Sequence, residues 1–225
     1  GAEFVAYLRR NREMSLEQQR IVAISIAMRS RDGFRVWSLG EPDSPEEELV
    51  RRFFDGIERL APTLVSWNGA GFDLPVLHYR ALRHKVQAHR YWEMGDMDQS
   101  YKWNNYISRF HWRHVDLMDV LSGFQGRGRV GLDQMSQLLG FPGKLGLSGE
   151  GVWDAHLQGR SEDIRNYCET DVVNTYLIYL RFELMRGRLT HEEHDREVEF
   201  VRAGLAGAEK PHLRGYLDAW AKCGS

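Results

Sequence analysis

One segment of the chain is apolar along nearly its whole length, as in a strand that is buried on both faces. Residues 21–28 read IVAISIAM, and such a run is typical of a strand with other layers above and below it. A second strand candidate covers residues 34–39, and Asp32-Gly33 between the two favours a hairpin turn. The chain is therefore expected to bury a sheet between other elements.

Helix and strand patterns alternate along the rest of the chain. The first helix is predicted to end near Leu60 and to begin with Ser44 as N-cap, Pro45 at N1 and Glu47 at N3. A long helix is predicted from an N-cap at Ser161 to Gly187. The other expectations are a strand over 63–67, a helix over 72–84, a strand running into a helix over 115–121, a helix over 132–139 and one or two helices after 187. This order predicts an α/β fold whose mixed sheet has a hairpin at one side and parallel strands at the other.

Length and composition indicate one globular domain. We expect residues 1–225 to form a single domain, with a core over about 20–187 and a helical extension over 188–225. The net charge of −2 argues against wholesale coating of nucleic acid, although it allows a local basic groove. The chain has two cysteines, too few for a disulfide framework, and the sequence shows neither a membrane span nor a signal-peptide pattern. A cytoplasmic protein without a membrane partner is the expectation.

An acid on an apolar helix face is the strongest chemical signal. In residues 166–181 (NYCETDVVNTYLIYLR), Tyr167 and Asp171 are four residues apart and share the face that carries the apolar stripe. A buried carboxylate is costly unless something pairs with it. A metal ion, a backbone group or a basic side chain could be that partner, and an ion pair with an arginine is the structural alternative.

A second acid follows a short strand. Asp73 lies in residues 67–75 (WNGAGFDLP) at a predicted strand-to-helix turn. Taken alone, Asp73 is better interpreted as the N-cap of the next helix. Asn68 is either a turn residue or a contact to a terminal nucleotide, and Phe72 is either a core residue or a stacking partner for an end base. Two separated acids and a tyrosine that could meet in space suggest metal-dependent phosphodiester chemistry.

These segments resemble two motifs of the 3′–5′ exonucleases in the ribonuclease H-like superfamily. Residues 68–73 (NGAGFD) look like their second exonuclease motif, and Tyr167-x-x-x-Asp171 looks like the tyrosine version of their third. The resemblance is greatest to predicted 3′–5′ exonucleases similar to the proofreading domain of family B DNA polymerases. It covers about residues 20–187, including RIVAIS (20–25), HVDLMD (114–119), LGFPGK (139–144) and YCETD (167–171).

The resemblance implies a fold and a set of roles. The fold is a ribonuclease H-like mixed sheet flanked by helices, with Mg²⁺ or Mn²⁺ in a two-metal site. Asp171 would bind the ion that activates water, Asp73 would hold the second ion, and Tyr167 would orient the attacking water. Asn68 and Phe72 would contact the substrate. Asp116 and Asp119 are further acids, of which Asp116 would be nearer the site, although a surface or capping position is favoured for both.

The family's first motif, Asp-x-Glu on the first strand, does not occur upstream of Ile21. We therefore expect the first strand to be missing, which would leave a gap at the centre of the sheet. One explanation is a chain that starts downstream of the motif, and the other is a degenerate, inactive relative. With two acids remaining, metal affinity and activity should be severely reduced.

Residues 91–112 combine seven aromatic side chains with interleaved arginine and lysine. Such a composition suits single-stranded nucleic acid, through base stacking and phosphate contacts. The alternative is a loop that folds over the sheet edge and is held by its own aromatics, and both descriptions can hold together. The nearby GRGR (126–129) is a flexible basic loop that could touch phosphate.

The leading hypothesis is a 3′–5′ exonuclease that acts on single-stranded DNA or RNA ends with Mg²⁺ or Mn²⁺. The first alternative is a catalytically silent relative that binds single strands. The second is a structural α/β interaction domain whose acids are caps and ion pairs. The sequence specifies neither a polymerase or repair partner nor an oligomeric state.

Overall fold

Strands precede and then alternate with helices, as the hydrophobic pattern predicts. The structure, a computed structural model, describes residues 15–146 and 151–223 and the backbone of residues 2–5. The strands are β1 (Ala2–Val5), β2 (Arg20–Ser30), β3 (Gly33–Ser38), β4 (Leu64–Ser66) and β5 (His114–Asp116). The helices are α1 (Glu46–Leu60), α2 (Asp73–His84), α3 (Leu117–Leu121), α4 (Leu132–Leu138), α5 (Val152–Leu157), α6 (Ser161–Met185), α7 (His191–Gly207) and α8 (Pro211–Cys223).

The predicted hairpin and the predicted parallel strands are both present. β2 and β3 are antiparallel, with Ser25 opposite Ser38 and Ser30 opposite Gly33. Gly33, at the turn, has a φ of +134°, a conformation that a residue with a side chain adopts only with strain. β4 and β5 pair in parallel, and β5 leads directly into α3, as expected for residues 115–121.

The expectation of one mixed sheet needs a correction. In the described residues, β1, β2 and β3 form one sheet while β4 and β5 form another. A cavity of about 1160 Å³ lies between the two sheets, bounded by β2, β4, α1, α2 and α6. No described strand hydrogen-bonds to both β2 and β4, and this is why the sheet is divided.

A strand does precede Ile21, contrary to the sequence-based expectation. β1 pairs antiparallel with the first half of β2, from Ala2 opposite Ile24 to Val5 opposite Arg20. It does not pair with the second half of β2, which borders the cavity. The gap expected at the centre of the sheet is therefore seen beside residues 25–30 of β2, and not along its whole length.

Two predicted N-caps are wrong. α1 begins after Pro45, and the Ser44 hydroxyl accepts a hydrogen bond from the Glu41 N–H at 2.9 Å, so it stabilises the preceding turn instead of the helix. α6 begins at Ser161 itself, so the N-cap position belongs to Arg160, whose side chain makes no capping bond. The end of α6 agrees with the prediction, since Gly187 has a φ of +72° two residues after the helix.

Helix α6 organises the core because it is buried on several sides. It packs on β2 and also contacts β3, α4, α5, α7 and α8. The residues after 187 form α7 and α8, as expected, and these helices join the same core as β3 and α6. Their buried members include Val201, Leu205, Leu213, Tyr216 and Trp220. The short helix α5 was not predicted, because six residues carry too little periodicity.

Replacing Gly204 by alanine should destabilise the protein by about 1–3 kcal/mol, the usual range for overpacking. Gly204 lies in α7, where a Cβ atom would overlap the Phe34 carbonyl oxygen of β3 and come within 3.1 Å of its carbon. Gly215→Ala in α8 is the matched control, since its Cβ would meet nothing within 4 Å. That variant should gain up to about 1 kcal/mol from helix propensity. Chemical denaturation of both variants measures the difference, and a stabilised Gly204→Ala protein would contradict the close packing of α7 on β3.

Candidate active site

A tight turn after β4 places the first candidate acid. Asn68 has a φ of +63°, a left-handed conformation that asparagine adopts more readily than most residues. Its carbonyl accepts the N–H groups of Gly71 and Phe72, at 3.1 and 3.0 Å. A side chain at Gly71 would come within 2.6 Å of the Asn68 amide oxygen. Asn68 is therefore a turn residue, and its side chain lies against the glycine that the turn requires.

Asp116, at the end of β5, stabilises this turn through hydrogen bonds to its backbone. Its two carboxylate oxygens accept the N–H groups of Asn68 and Ala70, both at 2.9 Å. It also caps α3 through the Asp119 N–H. The capping interpretation of Asp116 is thus confirmed, but both Asp116 and Asp119 are buried and neither is a surface acid.

Asp73 is the first residue of α2 and faces the large cavity. Phe72 occupies the N-cap position, so the interpretation of Asp73 as the N-cap is wrong. Asp73 lines the cavity together with Ser66 of β4 and Val172 of α6. Burial raises the pKa of Asp73 well above its usual value, and the negative charges of Asp116 and Asp171 raise it further. The pKa of Asp73 therefore responds to carboxylates from two other elements, β5 and α6.

Tyr167 and Asp171 are both buried, as the stripe on α6 predicts. They are 4% and 7% exposed, one helical turn apart. The next residues on α6, Val172 and Thr175, line the same cavity as Asp73. The helix that carries Asp171 therefore borders the cavity that Asp73 lines, although the two acids are almost a hundred residues apart in the chain.

Comparison with protein-family models assigns most of the chain to a family. A family described as predicted 3′–5′ exonucleases related to the exonuclease domain of PolB matches residues 12–220. The chain belongs to this family. Comparison with curated proteins found no match. In the part of the chain that the structure describes, no helix is long and apolar enough to cross a membrane.

Lys144 lies beside Tyr167, and the sequence analysis assigned no role to it. Its ammonium group lies 5.6 Å from the centre of the Tyr167 ring. The loop is fixed on two sides, since Asp133 accepts the Lys144 N–H at 2.8 Å and the Asn174 side chain donates to the Gly143 carbonyl at 2.8 Å. The Gly143-Lys144 pair that ends LGFPGK could have indicated a turn followed by an ordered cation. Gly143 does adopt a turn conformation, with a φ of +68°.

The carboxylate groups of Asp73 and Asp171 are of the chemical type that binds hard divalent ions. Carboxylate oxygens are preferred by Mg²⁺ and Mn²⁺, and a divalent ion would offset the repulsion between Asp73 and Asp171. The described residues contain no group of three or more His, Cys, Asp or Glu side chains placed to hold an ion. The donors therefore fit the metal in kind, while the described part of the chain supplies fewer of them than a complete two-metal site uses.

The aromatic segment, residues 91–112, is held by its own aromatic side chains, as one of the two interpretations of its composition expects. Tyr91, Tyr101 and Tyr106 are buried, and the rings of Tyr91 and Tyr106 stack at 5.5 Å with an angle of 8°. These tyrosines hold the segment against α1 and α2 as part of one hydrophobic cluster. The other aromatics remain on the surface, namely Trp92, Trp103, Phe110 and Trp112.

Proposed function

We propose that this protein is a metal-dependent 3′–5′ exonuclease that removes nucleotides from the 3′ ends of single-stranded DNA or RNA. The observation that carries the proposal is that Asp73 lines the large cavity and is acted on by the charge of Asp171, whose neighbour Val172 lines the same cavity, in a chain of the exonuclease family. Neither acid sits there for capping, since Asp73 is not an N-cap and Asp171 lies in the middle of a long helix.

Each residue of the site has a chemical task in this proposal. Asp73 and Asp171 would hold Mg²⁺ or Mn²⁺, which when bound stabilises the negative charge that develops on a phosphate and lowers the pKa of water. Tyr167 would position the attacking water, because a phenol is a poor base at neutral pH. Lys144, beside the Tyr167 ring, would attract the scissile phosphate.

The turn of residues 68–72 would receive the terminal nucleotide. Phe72 is partly exposed next to Asp73 and offers an aromatic face to the end base. The backbone N–H of Asn68 is held by Asp116, so the Asn68 side-chain amide would offer its hydrogen-bonding groups from an ordered turn. Asp116 would act through the turn, as a positioning residue.

A silent relative that binds single strands is the second candidate. Its support is the commitment of Asp116 to three backbone N–H groups, which keeps this carboxylate on the turn and away from the task of holding a metal ion. The exposed Trp92 in the aromatic segment would serve binding equally well in either candidate.

The test uses 5′-labelled single-stranded DNA and RNA of the same sequence, with Mn²⁺ and with a chelator. An exonuclease should produce a ladder that shortens from the 3′ end and disappears with chelator, and the two substrates compare DNA with RNA. A 3′-labelled strand is the control, because a 3′–5′ enzyme should release its label as mononucleotide at once. Binding in a gel shift without any cleavage would favour the silent relative and contradict the exonuclease.

A further inference from the structure

A second cavity of about 400 Å³ borders the turn of residues 68–72, which precedes Asp73. Its walls come from Ala70 and Gly71 of that turn, from α2, from the aromatic segment and from Arg129 in the loop after α3. Its volume falls within the range of small-ligand pockets. None of the residues assigned to the cleavage chemistry, namely Asp73, Tyr167, Asp171 and Lys144, lines this pocket.

Two arginines are fixed at the wall of this pocket. The Arg109 guanidinium donates twice to the Asp119 carboxylate, both at 2.6 Å, and Arg129 donates to the same carboxylate at 3.1 Å. Asp119 is buried, whereas the two arginine side chains are 46% and 39% exposed. A carboxylate that is buried behind two guanidinium groups orients them and leaves N–H donors directed elsewhere.

The charge of the pocket is positive at neutral pH. Burial lowers the pKa of His78 and of His114 to about 4, so both rings are neutral there. Arg109 and Arg129 carry two positive charges against the single negative charge of Asp119. One positive charge thus remains, with the fork geometry that suits a phosphate group.

An aromatic wall completes the pocket. The Trp92 ring lies 4.9 Å from His78 and 5.5 Å from Tyr91, measured between ring centres, and Tyr91 itself is buried. Trp92 is nevertheless 52% exposed, so much of its aromatic surface is open to a ligand. An indole held by neighbouring rings stacks on a base at little cost in conformational freedom.

We propose that this pocket binds one nucleotide, with its phosphate on Arg109 and Arg129 and its base on Trp92. The pocket offers an aromatic ring, two guanidinium groups and enough volume for one nucleotide. An apolar peptide would leave the guanidinium groups unused, and an acidic peptide would leave the aromatic ring unused. The nucleotide comes from the single strand that enters the active site, and this source rests on the proposed function. A free nucleoside monophosphate has the same chemistry and is distinguished in the experiment.

The experiment measures binding in chelator, so that it does not depend on cleavage. Fluorescence anisotropy of a labelled twelve-nucleotide strand, about that length being enough to span a binding groove, is compared for wild type, Trp92→Ala and Arg129→Gln. Trp103→Ala and Arg127→Gln are the matched controls, since both residues are exposed in the same two segments and do not line the pocket. Unlabelled deoxynucleoside monophosphate is titrated in parallel by calorimetry.

We expect Trp92→Ala and Arg129→Gln each to weaken strand binding by about tenfold, while the two controls change it by less than twofold. Loss of monophosphate binding in the same two variants, with strand binding unchanged, would support the pocket and identify free nucleotide as its ligand. Equal binding by all five proteins in both measurements would overturn the proposal. The proposed function is decided separately by the cleavage ladder with Mn²⁺, and circular dichroism confirms that the variants are folded.

Discussion

Replacing Asp171 by asparagine should reduce 3′-end cleavage by more than about 100-fold, since loss of even an outer-shell partner of a metal ligand typically costs about 10–100-fold. The substitution keeps the shape of the side chain in its buried position on α6 and removes the charge that would hold a divalent ion. The measurement is the rate of shortening of a 5′-labelled single strand at saturating Mn²⁺.

Asp163→Asn is the matched control for this variant. Asp163 lies in the first turn of the same helix and forms an exposed ion pair with Arg160. Cleavage should therefore stay within about twofold of wild type, as exposed ion pairs contribute little. Thermal unfolding of both variants checks the fold, and full activity in folded Asp171→Asn would refute the assignment of Asp171.

Replacing Arg80 by methionine should lower the free energy of unfolding by about 3–5 kcal/mol, the usual cost of removing one partner from a buried ion pair. Arg80 on α2 and Glu46 on α1 are both buried and joined by two hydrogen bonds, one of them 2.7 Å long. Glu46 also accepts from the Ile21 N–H at 2.7 Å and bonds to His84 at 2.8 Å. One carboxylate thus joins α1, α2 and the start of β2.

The pH dependence of this effect has a definite sign. Burial alone would raise the pKa of Glu46, but the hydrogen bonds from Arg80, His84 and the Ile21 N–H outweigh it and lower the pKa. A lowered carboxyl pKa contributes stability above the unfolded value of about 4.3, and this stability is lost as the pH falls through the folded value. Acid should therefore destabilise wild type more steeply than Arg80→Met between about pH 5 and pH 3.

Arg52→Met supplies the comparison for Arg80→Met. Arg52 forms an exposed pair with Glu48 on the same helix as Glu46, so its loss should cost about 0.5 kcal/mol or less. The double variant Glu46→Gln, Arg80→Met should recover part of the lost stability, because no uncompensated charge stays buried. Urea unfolding at pH 7 measures all three, and a cost below 1 kcal/mol for Arg80→Met would contradict a structural role for the pair.

Local sequence patterns predicted the elements because they depend on residues that are close in the chain. The apolar run at 21–28 and the Asp32-Gly33 turn led to β2 and the hairpin, and the stripe around Asp171 led to a helix with a buried acid. Caps were less predictable. Ser44 and Ser161 had the residue type of an N-cap, but Ser44 bonds to the earlier turn and Ser161 falls inside its helix.

Contacts between distant residues were beyond any local pattern. Asp116 was expected at the surface or at a helix end, yet its main partners are N–H groups on a turn almost fifty residues earlier. The same applies to Asp119, which binds Arg109 and Arg129, and to Lys144 beside Tyr167. A single sequence does not specify which distant side chains will contact each other, because hydrophobic periodicity indicates only which face of an element is buried.

The sequence by itself predicted the main elements and the buried helix face that carries Asp171, because spacing along a helix and along a strand is a local property. The family, and with it the proposed roles of Asp73 and Asp171, followed from the resemblance of its short motifs. Only the tertiary structure decided that the sheet is divided by a cavity, that Asp73 of α2 and Val172 of α6 both line it and that Asp116 supports the turn. These features arise from how elements pack, and packing is settled by the shape and charge of surfaces that residues far apart in the chain build together.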